Sequence, residues 1–258
     1  DNKKNGRALL SGGAGFRLVD ETEDWMSSWV VGDYARVCDL NEKEAVTVKS
    51  AVLTGEVQSV TYELKFRRSL LRLRVSLAGQ SPVLRFSADC DFQETGADGL
   101  VPQLQLHIPY SYWPQAIRCD VPGGVLDRPE FAHDIPVIRY CAPVPESGSA
   151  LLLTSDCKYG VRAWKNALIL DLLRSSTIPD RYPEQGVHQF EIGLGAAPSQ
   201  TAPASASWRI VSRIRCIRIP IRCTPVRLVR PAASCRSLAQ QSRRSSPQKM
   251  RMVSYSDC

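Results

Sequence analysis

Apolar and polar residues alternate with period two along much of the first half of the chain. Val60, Tyr62, Leu64 and Phe66 alternate with Thr61, Glu63 and Lys65. Leu71, Leu73, Val75 and Leu77 alternate with Arg72, Arg74 and Ser76, residues 83–88 continue the habit, and Leu104, Leu106 and Ile108 alternate with Gln105 and His107. The pattern predicts strands with one face on a core and the other in water. Arg67-Arg68 and residues 78–82 (Ala-Gly-Gln-Ser-Pro) supply the turns between neighbours. Consecutive strands with short connections predict an antiparallel meander. A long stripe of helical period is absent; residues 20–34, acidic at their start, are the best candidate for a turn of helix.

The second half is also predicted to be β, with longer loops. Residues 137–140, 150–153, 167–173 and 188–194 read as strands, and Trp164-Lys165-Asn166 as a hairpin tip. Pro122-Gly123-Gly124 and Asp127-Arg128-Pro129 punctuate the region before them. There is no internal repeat.

Charge divides the chain. The net charge is +7, yet residues 197–258 hold 11 arginines and Lys249 against one acid, Asp257, so the first 196 residues are acidic. Asymmetry on this scale fits a nucleic-acid or membrane tail, or two unrelated pieces of sequence. Five cysteines lie in the acidic body (Cys38, Cys90, Cys119, Cys141, Cys157), none in a CxxC pair, which argues against a zinc ribbon or a thioredoxin motif. Such a scattered set predicts reduced, mostly buried thiols in a cytoplasmic protein. No segment approaches the roughly 20 apolar residues of a membrane span. The chain starts at Asp1 rather than Met, and is read as a piece of a longer product.

Several blocks together carry a family resemblance. Residues 155–160 (Ser-Asp-Cys-Lys-Tyr-Gly) form a polar turn, and residues 168–175 an apolar strand ending in Leu-Leu-Arg. Asp24-Trp25, Trp29, Asp33 and Tyr34 come first, then residues 89–94 (Asp-Cys-Asp-Phe-Gln-Glu) and residues 122–129 (Pro-Gly-Gly-Val-Leu-Asp-Arg-Pro). Asp134-Ile135-Pro136-Val137, residues 150–153 and residues 185–190 (Gln-Gly-Val-His-Gln-Phe) complete the order. Over about residues 14–196 this resembles the C-terminal β-domain of the glycoside hydrolase family 38 α-mannosidases. Two turns depart from the family pattern: Val161-Arg162 follows Lys-Tyr-Gly, and the hairpin tip is Lys165-Asn166.

The resemblance implies an all-β antiparallel super-sandwich, galactose mutarotase-like, over residues 1–196, followed by an irregular basic tail over 197–258. It implies a non-catalytic domain that contacts α-mannoside or other carbohydrate and scaffolds an N-terminal catalytic domain. The family's zinc and its nucleophilic Asp belong to that other domain, so no cofactor and no catalytic residue are expected here. The resemblance stops near Ala196, and Arg-, Ser-, Pro- and Cys-rich sequence follows. The tail is therefore read as disordered or translated out of frame, and neither nucleic acid nor membrane as a partner. The alternatives are a free-standing carbohydrate-binding β-sandwich and an aldose-epimerase-like enzyme, the latter needing a His and a carboxylate in one cleft.

Asp127, Arg128, Asp156, Lys158 and Tyr159 are placed on polar turns and are the candidates for a substrate rim or a domain interface. Asp89 and Asp91 share a strand face, at a spacing compatible with a glycosidase pair, but read better as a solvated strand end. Cys157 beside Lys158 suggests a lowered thiol pKa, though nothing aims a base at it. The three histidines, His107, His133 and His188, show no ligand spacing. Trp25, Trp29, Trp113 and Trp164 are read as core or interface anchors, with sugar stacking as the sharper alternative.

Overall fold

The computed structural model describes residues 8–41, 46–79, 81–180 and 183–198. The described residues are all β. In chain order the strands are β1 (Gly15–Thr22), β2 (Tyr34–Asp39), β3 (Val46–Thr54), β4 (Val57–Phe66) and β5 (Ser69–Ala78). There follow β6 (Val83–Phe92), β7 (Leu100–Pro109), β8 (Ala116–Val121), β9 (Gly124–Arg128) and β10 (Phe131–Pro136). The last are β11 (Tyr140–Val144), β12 (Ser149–Ser155), β13 (Gly160–Trp164), β14 (Ala167–Arg174) and β15 (Gly186–Pro198). The tail from Ser199 onward lies outside the described residues, so its reading as disordered or out of frame does too. β15 itself runs two residues past the expected boundary at 196, pairing Ala197 with Ala150 and Pro198 with Ser149.

Two antiparallel sheets share one core. The larger has nine strands in the order β3-β4-β5-β6-β15-β12-β11-β8-β9, and the smaller has six in the order β10-β13-β14-β7-β1-β2. The expected meander is β3 to β6. Leu71 and Leu73 of β5 are buried while Arg72 and Arg74 face water, as their alternation requires. β7 leaves the meander and becomes a central strand of the smaller sheet, between β1 and β14. Leu104, Leu106 and Ile108 project from it into the common core with Phe16, Leu18, Leu168 and Leu170, against Leu71, Phe86, Phe190 and Ile192 of the larger sheet. Each such fully buried side chain stabilises by roughly 1.5–3 kcal/mol.

Three sequence expectations need correction. Residues 137–139 form a bend, and the strand starts at Tyr140. The bend is useful: Val137 N–H donates to Tyr159 O and Ile138 N–H to Asp120 O, which ties both sheets to one loop. Residues 20–34 are not a helix; β1 runs through Thr22, and only one turn survives, in which Met26 O accepts from Trp29 and Val30 N–H. Gln105 is not in water but buried, in hydrogen-bond contact with Tyr34 of β2 and Asp171 of β14 on the outer face of the smaller sheet.

The turns use the chemistry their residues allow. Pro122-Gly123 closes the β8–β9 hairpin with Gly123 at φ 88°, as a type II turn needs. Lys165-Asn166 closes β13–β14 with φ 51° and 55°, a type I′ turn that matches strand twist. Arg67, at φ 42° in the β4–β5 turn, is held there by its guanidinium, whose Nη1 and Nη2 bond both oxygens of buried Asp20 at 2.8 and 2.5 Å. That ion pair links the two sheets. Buried Glu94 accepts from Arg68 N–H and Ser69 Oγ at the same turn.

Candidate functional site

The five residues singled out from sequence fall into two groups. Asp127 and Arg128 lie on edge strand β9 rather than on a turn, because the Pro-Gly hairpin ends before them. Asp127 is gripped by Arg118 through two 2.7 Å bonds, and the guanidinium holds its carboxyl below the usual range. Arg128 Nε is buried with no partner among the described residues. Asp156, Lys158 and Tyr159 lie on the β12–β13 loop. Asp156 Oδ1 accepts the Glu191 N–H at 3.0 Å, which fastens the loop to β15. Lys158 Nζ stands 5.4 Å from the Phe190 ring centroid. Tyr159 is 53% exposed.

Cys157 does not have the lowered pKa that its neighbour Lys158 suggests. Desolvation and Asp156 push the thiol up to about 12. Asp89 and Asp91 are exposed on β6, each taking a hydrogen bond from a glutamine amide (Gln189 and Gln93), which is the solvated strand end. Among the described residues no group of three or more His, Cys, Asp or Glu side chains converges, and the three histidines sit on β7, β10 and β15. The described residues do not fit a zinc site.

The concentrated chemistry lies on the outer face of the six-stranded sheet. β7 carries Gln103, Gln105 and His107 on this face, opposite its leucines. Gln105 Nε2 lies 2.6 Å from Tyr34 Oη, 2.7 Å from Gln103 Oε1 and 2.9 Å from Asp171 Oδ1. Arg162 of β13 bonds both oxygens of Asp134 at 2.9 and 3.0 Å and stacks its guanidinium 4.5 Å from the Tyr34 ring centroid. Asp171 is enclosed in this network. Desolvation first, then neighbouring Asp134, raise its carboxyl well above the ordinary range; Arg162 and Gln105 pull the other way. Burial and the neighbouring Asp134 carboxylate thus favour the protonated form of Asp171. Desolvation also raises the Tyr34 hydroxyl.

Gly160 belongs to this network through what it lacks. A Cβ there would meet Asp171 Oδ2 at 2.8 Å and Asp171 Cβ at 3.2 Å. Gly160 is not among the glycines with positive φ, so the close approach to Asp171 is what calls for glycine here. Gly160→Val is expected to lower stability by about 1–3 kcal/mol through overpacking against a buried carboxyl. Urea denaturation measures this, and Asp171→Ala in the same chain should relieve part of the loss.

A β-bulge near the end of β14 orients a second ion pair. Pairing with β7 slips between Asp171 and Leu173, so Arg174 lies opposite Gln103 on the outer face. Its guanidinium takes Glu21 at 2.8–3.2 Å and also donates to Ser27 O and Val30 O. Glu21 Oε2 accepts the Gly32 N–H at 3.1 Å, and Ser28 N–H donates to Ile178 O. The 23–33 connection is thereby pinned from beneath. It presents Trp25 and Trp29, 72% and 73% exposed, with Val30, Val31 and Ile178 beside them. All four tryptophans read as anchors (Trp25, Trp29, Trp113, Trp164) are exposed, so none anchors the core.

At the other end of β1 and β7 lies an open depression of about 440 Å³, lined by Gly13, Gly15, Arg17, Asp39, Asn41, His107 and Pro109. Arg17 Nε bonds Asp39 Oδ1 at 2.5 Å, and Asn41 Oδ1 accepts the Phe16 N–H at 3.2 Å. Desolvation and Arg17 lower the His107 pKa to about 4. Here a His and a carboxylate line one hollow. An imidazole so weakly basic is a poor general base at neutral pH, so the set suits binding better than the proton transfer an epimerase requires. Sequence reasoning listed His107 without a role and missed Arg17, Asn41, Arg162 and Asp171, since only the strand register brings them together.

The chain matches the family model described as the glycosyl hydrolases family 38 C-terminal domain over residues 2–182. Among solved structures it is similar to an α-mannosidase from Enterococcus faecalis V583, at 14% identity and a TM-score of 0.63, covering 81% of this chain and 28% of that one. It is similar also to a protein in glycosyl hydrolase family 38 from Enterococcus faecalis, at 12% identity and a TM-score of 0.62, covering 81% of this chain and 29% of that one. At these identities the likeness establishes the fold. The chain spans less than a third of the length of either structure. A search of the curated proteins finds no match.

Proposed function

The chain belongs to the family of glycosyl hydrolase family 38 C-terminal domains, and from that premise we propose that it is the non-catalytic β-domain of an α-mannosidase. In this reading it scaffolds a separate zinc-dependent catalytic domain, contacts the α-mannoside chain, and takes no part in bond cleavage. The observation that carries the scaffold role is the pinned aromatic surface. Trp25 and Trp29 are exposed although their backbone is fixed by Arg174, Glu21 and Ile178. Exposed tryptophans held in one geometry lose little entropy when covered, and such residues dominate interfaces. The expected partner of this patch is the catalytic domain. Asp127, Arg128, Asp156, Lys158 and Tyr159 are proposed as further rim or interface contacts, with the exposed Tyr159 ring offering apolar surface. The proposed location is cytoplasmic, supported by five free thiols in the body.

The test compares one double substitution in two settings. In the isolated chain, Trp25→Ala with Trp29→Ala should leave the thermal midpoint nearly unchanged, because both rings are already in water. Against a separately produced family 38 catalytic domain that binds the unaltered chain, association should weaken by about 30-fold, equivalent to roughly 2 kcal/mol. Undiminished association, or unfolding of the isolated double variant, would sink the docking assignment.

A further inference from the structure

We propose that the depression between β1, β2 and β7 is a binding site for one neutral sugar ring, with Arg17, Asp39, Asn41 and His107 as its hydrogen-bonding groups and Pro109 as its apolar wall. The assignment rests on the carbohydrate-contact part of the reading above and is independent of the scaffold part.

The volume, about 440 Å³, falls in the range of small-molecule pockets. Charge narrows the class of ligand. Arg17 and Asp39 neutralise one another at 2.5 Å, and His107 is uncharged near neutral pH. A site without net charge favours neither phosphate nor a cation. What remains is an array of directed donors and acceptors. Only Arg17 Nε and Asp39 Oδ1 are used in the ion pair, and only Asn41 Oδ1 in its bond to Phe16. Among the described residues, the Arg17 Nη groups, Asp39 Oδ2, Asn41 Nδ2 and the His107 ring have no other hydrogen-bond partner. A neutral imidazole supplies one donor and one acceptor. Adjacent donors and an adjacent acceptor are what a pair of neighbouring hydroxyls requires.

The backbone has been kept out of the way. A Cβ on Gly15 would stand 1.8 Å from Asn41 Nδ2, so glycine is what lets the amide lie flat against β1. A Cβ on Gly13 would meet nothing within 4 Å, so that wall of the hollow is open. The second point supplies a blocking variant that should not disturb the fold. Gly13→Leu would start its side chain in open space at the wall of the hollow, and Asp39→Ala would remove the acceptor at an exposed ion pair worth little to stability.

The full chain would be titrated with methyl α-D-mannopyranoside, methyl α-D-galactopyranoside and mannose 6-phosphate, with binding followed by amide chemical shifts and calorimetry. The expected result is millimolar, saturable binding of a neutral glycoside, with shifts centred on Gly13, Gly15 and His107. Gly13→Leu should abolish it, and Asp39→Ala should weaken it by about tenfold, with both variants melting as the unaltered chain does. Glycoside binding that both variants retain would overturn the site and leave the carbohydrate-contact reading standing elsewhere on the surface. An absence of glycoside binding by the unaltered chain would overturn both. Tighter binding of the sugar phosphate would overturn the neutral class of ligand.

Discussion

Arg174→Ala is expected to destabilise the domain by about 3–5 kcal/mol, the usual cost of leaving one buried charge without its partner. Glu21 is fully buried, and its carboxylate faces the Arg174 guanidinium through three contacts of 2.8–3.2 Å. Without Arg174, among the described residues only the Gly32 N–H remains on that carboxylate. Ser27 O and Val30 O also lose their donor, so the 23–33 connection should open before the sheets do. Denaturant unfolding gives the global cost, and hydrogen exchange at residues 26–32 shows the local opening. Arg174→Lys should fall between, since an ammonium keeps the charge but not the fork. Glu21→Leu combined with Arg174→Met should recover much of the loss, because apolar replacement of both partners is often near neutral. A cost below about 1 kcal/mol for Arg174→Ala would mean that water screens the pair as it screens surface bridges.

This pair marks how far sequence reasoning reached. The strands from 57 to 92 were legible because one face of each meets water and the period-two signal survives. The hairpin tips at Lys165-Asn166 and Pro122-Gly123 were legible because positive φ restricts the residues that fit. β7 was legible as a strand, yet its polar face was misjudged. Gln103 and Gln105 are buried, and the Tyr34 and Asp171 side chains that Gln105 meets come from other strands, which no local pattern encodes. The same holds for Arg174, which the β14 bulge turns to the outer face; straight alternation from Leu168 and Leu170 would have put it on the other side. Asp171 reads as an ordinary polar residue in an apolar strand. Its enclosure depends on Tyr34, Gln105 and Arg162, which arrive from three other strands. Loop residues drew attention in the sequence because they are polar and punctuated, whereas the densest chemistry sits mid-strand on one sheet face.

Asp171→Asn is expected to stabilise the domain at neutral pH and to change the shape of its pH profile. In the folded chain, desolvation and Asp134 hold the Asp171 carboxyl neutral well above its ordinary range, whereas in the unfolded chain it ionises near pH 4. Across that window the native state keeps a proton that the unfolded state releases. Stability is therefore full below the unfolded pKa and falls as pH rises toward the folded one, by up to about 1.4 kcal/mol per pH unit for a single proton. His107 acts with the opposite sign. Its folded pKa is lowered to about 4, from an unfolded value near 6.5, so its contribution is present above pH 6.5 and is lost as pH falls toward 4. From pH 4 up to the raised folded pKa the Asp171 penalty grows, and up to pH 6.5 the His107 slope opposes it, so the unaltered chain should show a shallower profile than either single variant. The asparagine is neutral at every pH, still accepts from Gln105 and can donate to Asp134. Its variant should match the unaltered chain near pH 4, rise to pH 6.5 with the His107 term exposed, and then stay level. His107→Gln should show the mirror result, a decline that starts near pH 4. Urea midpoints measured from pH 4 to pH 8 decide the matter: parallel profiles for Asp171→Asn and the unaltered chain would mean that Asp171 ionises in the fold like an exposed carboxylate, and the enclosed network on the outer face of the smaller sheet would lose its central proton.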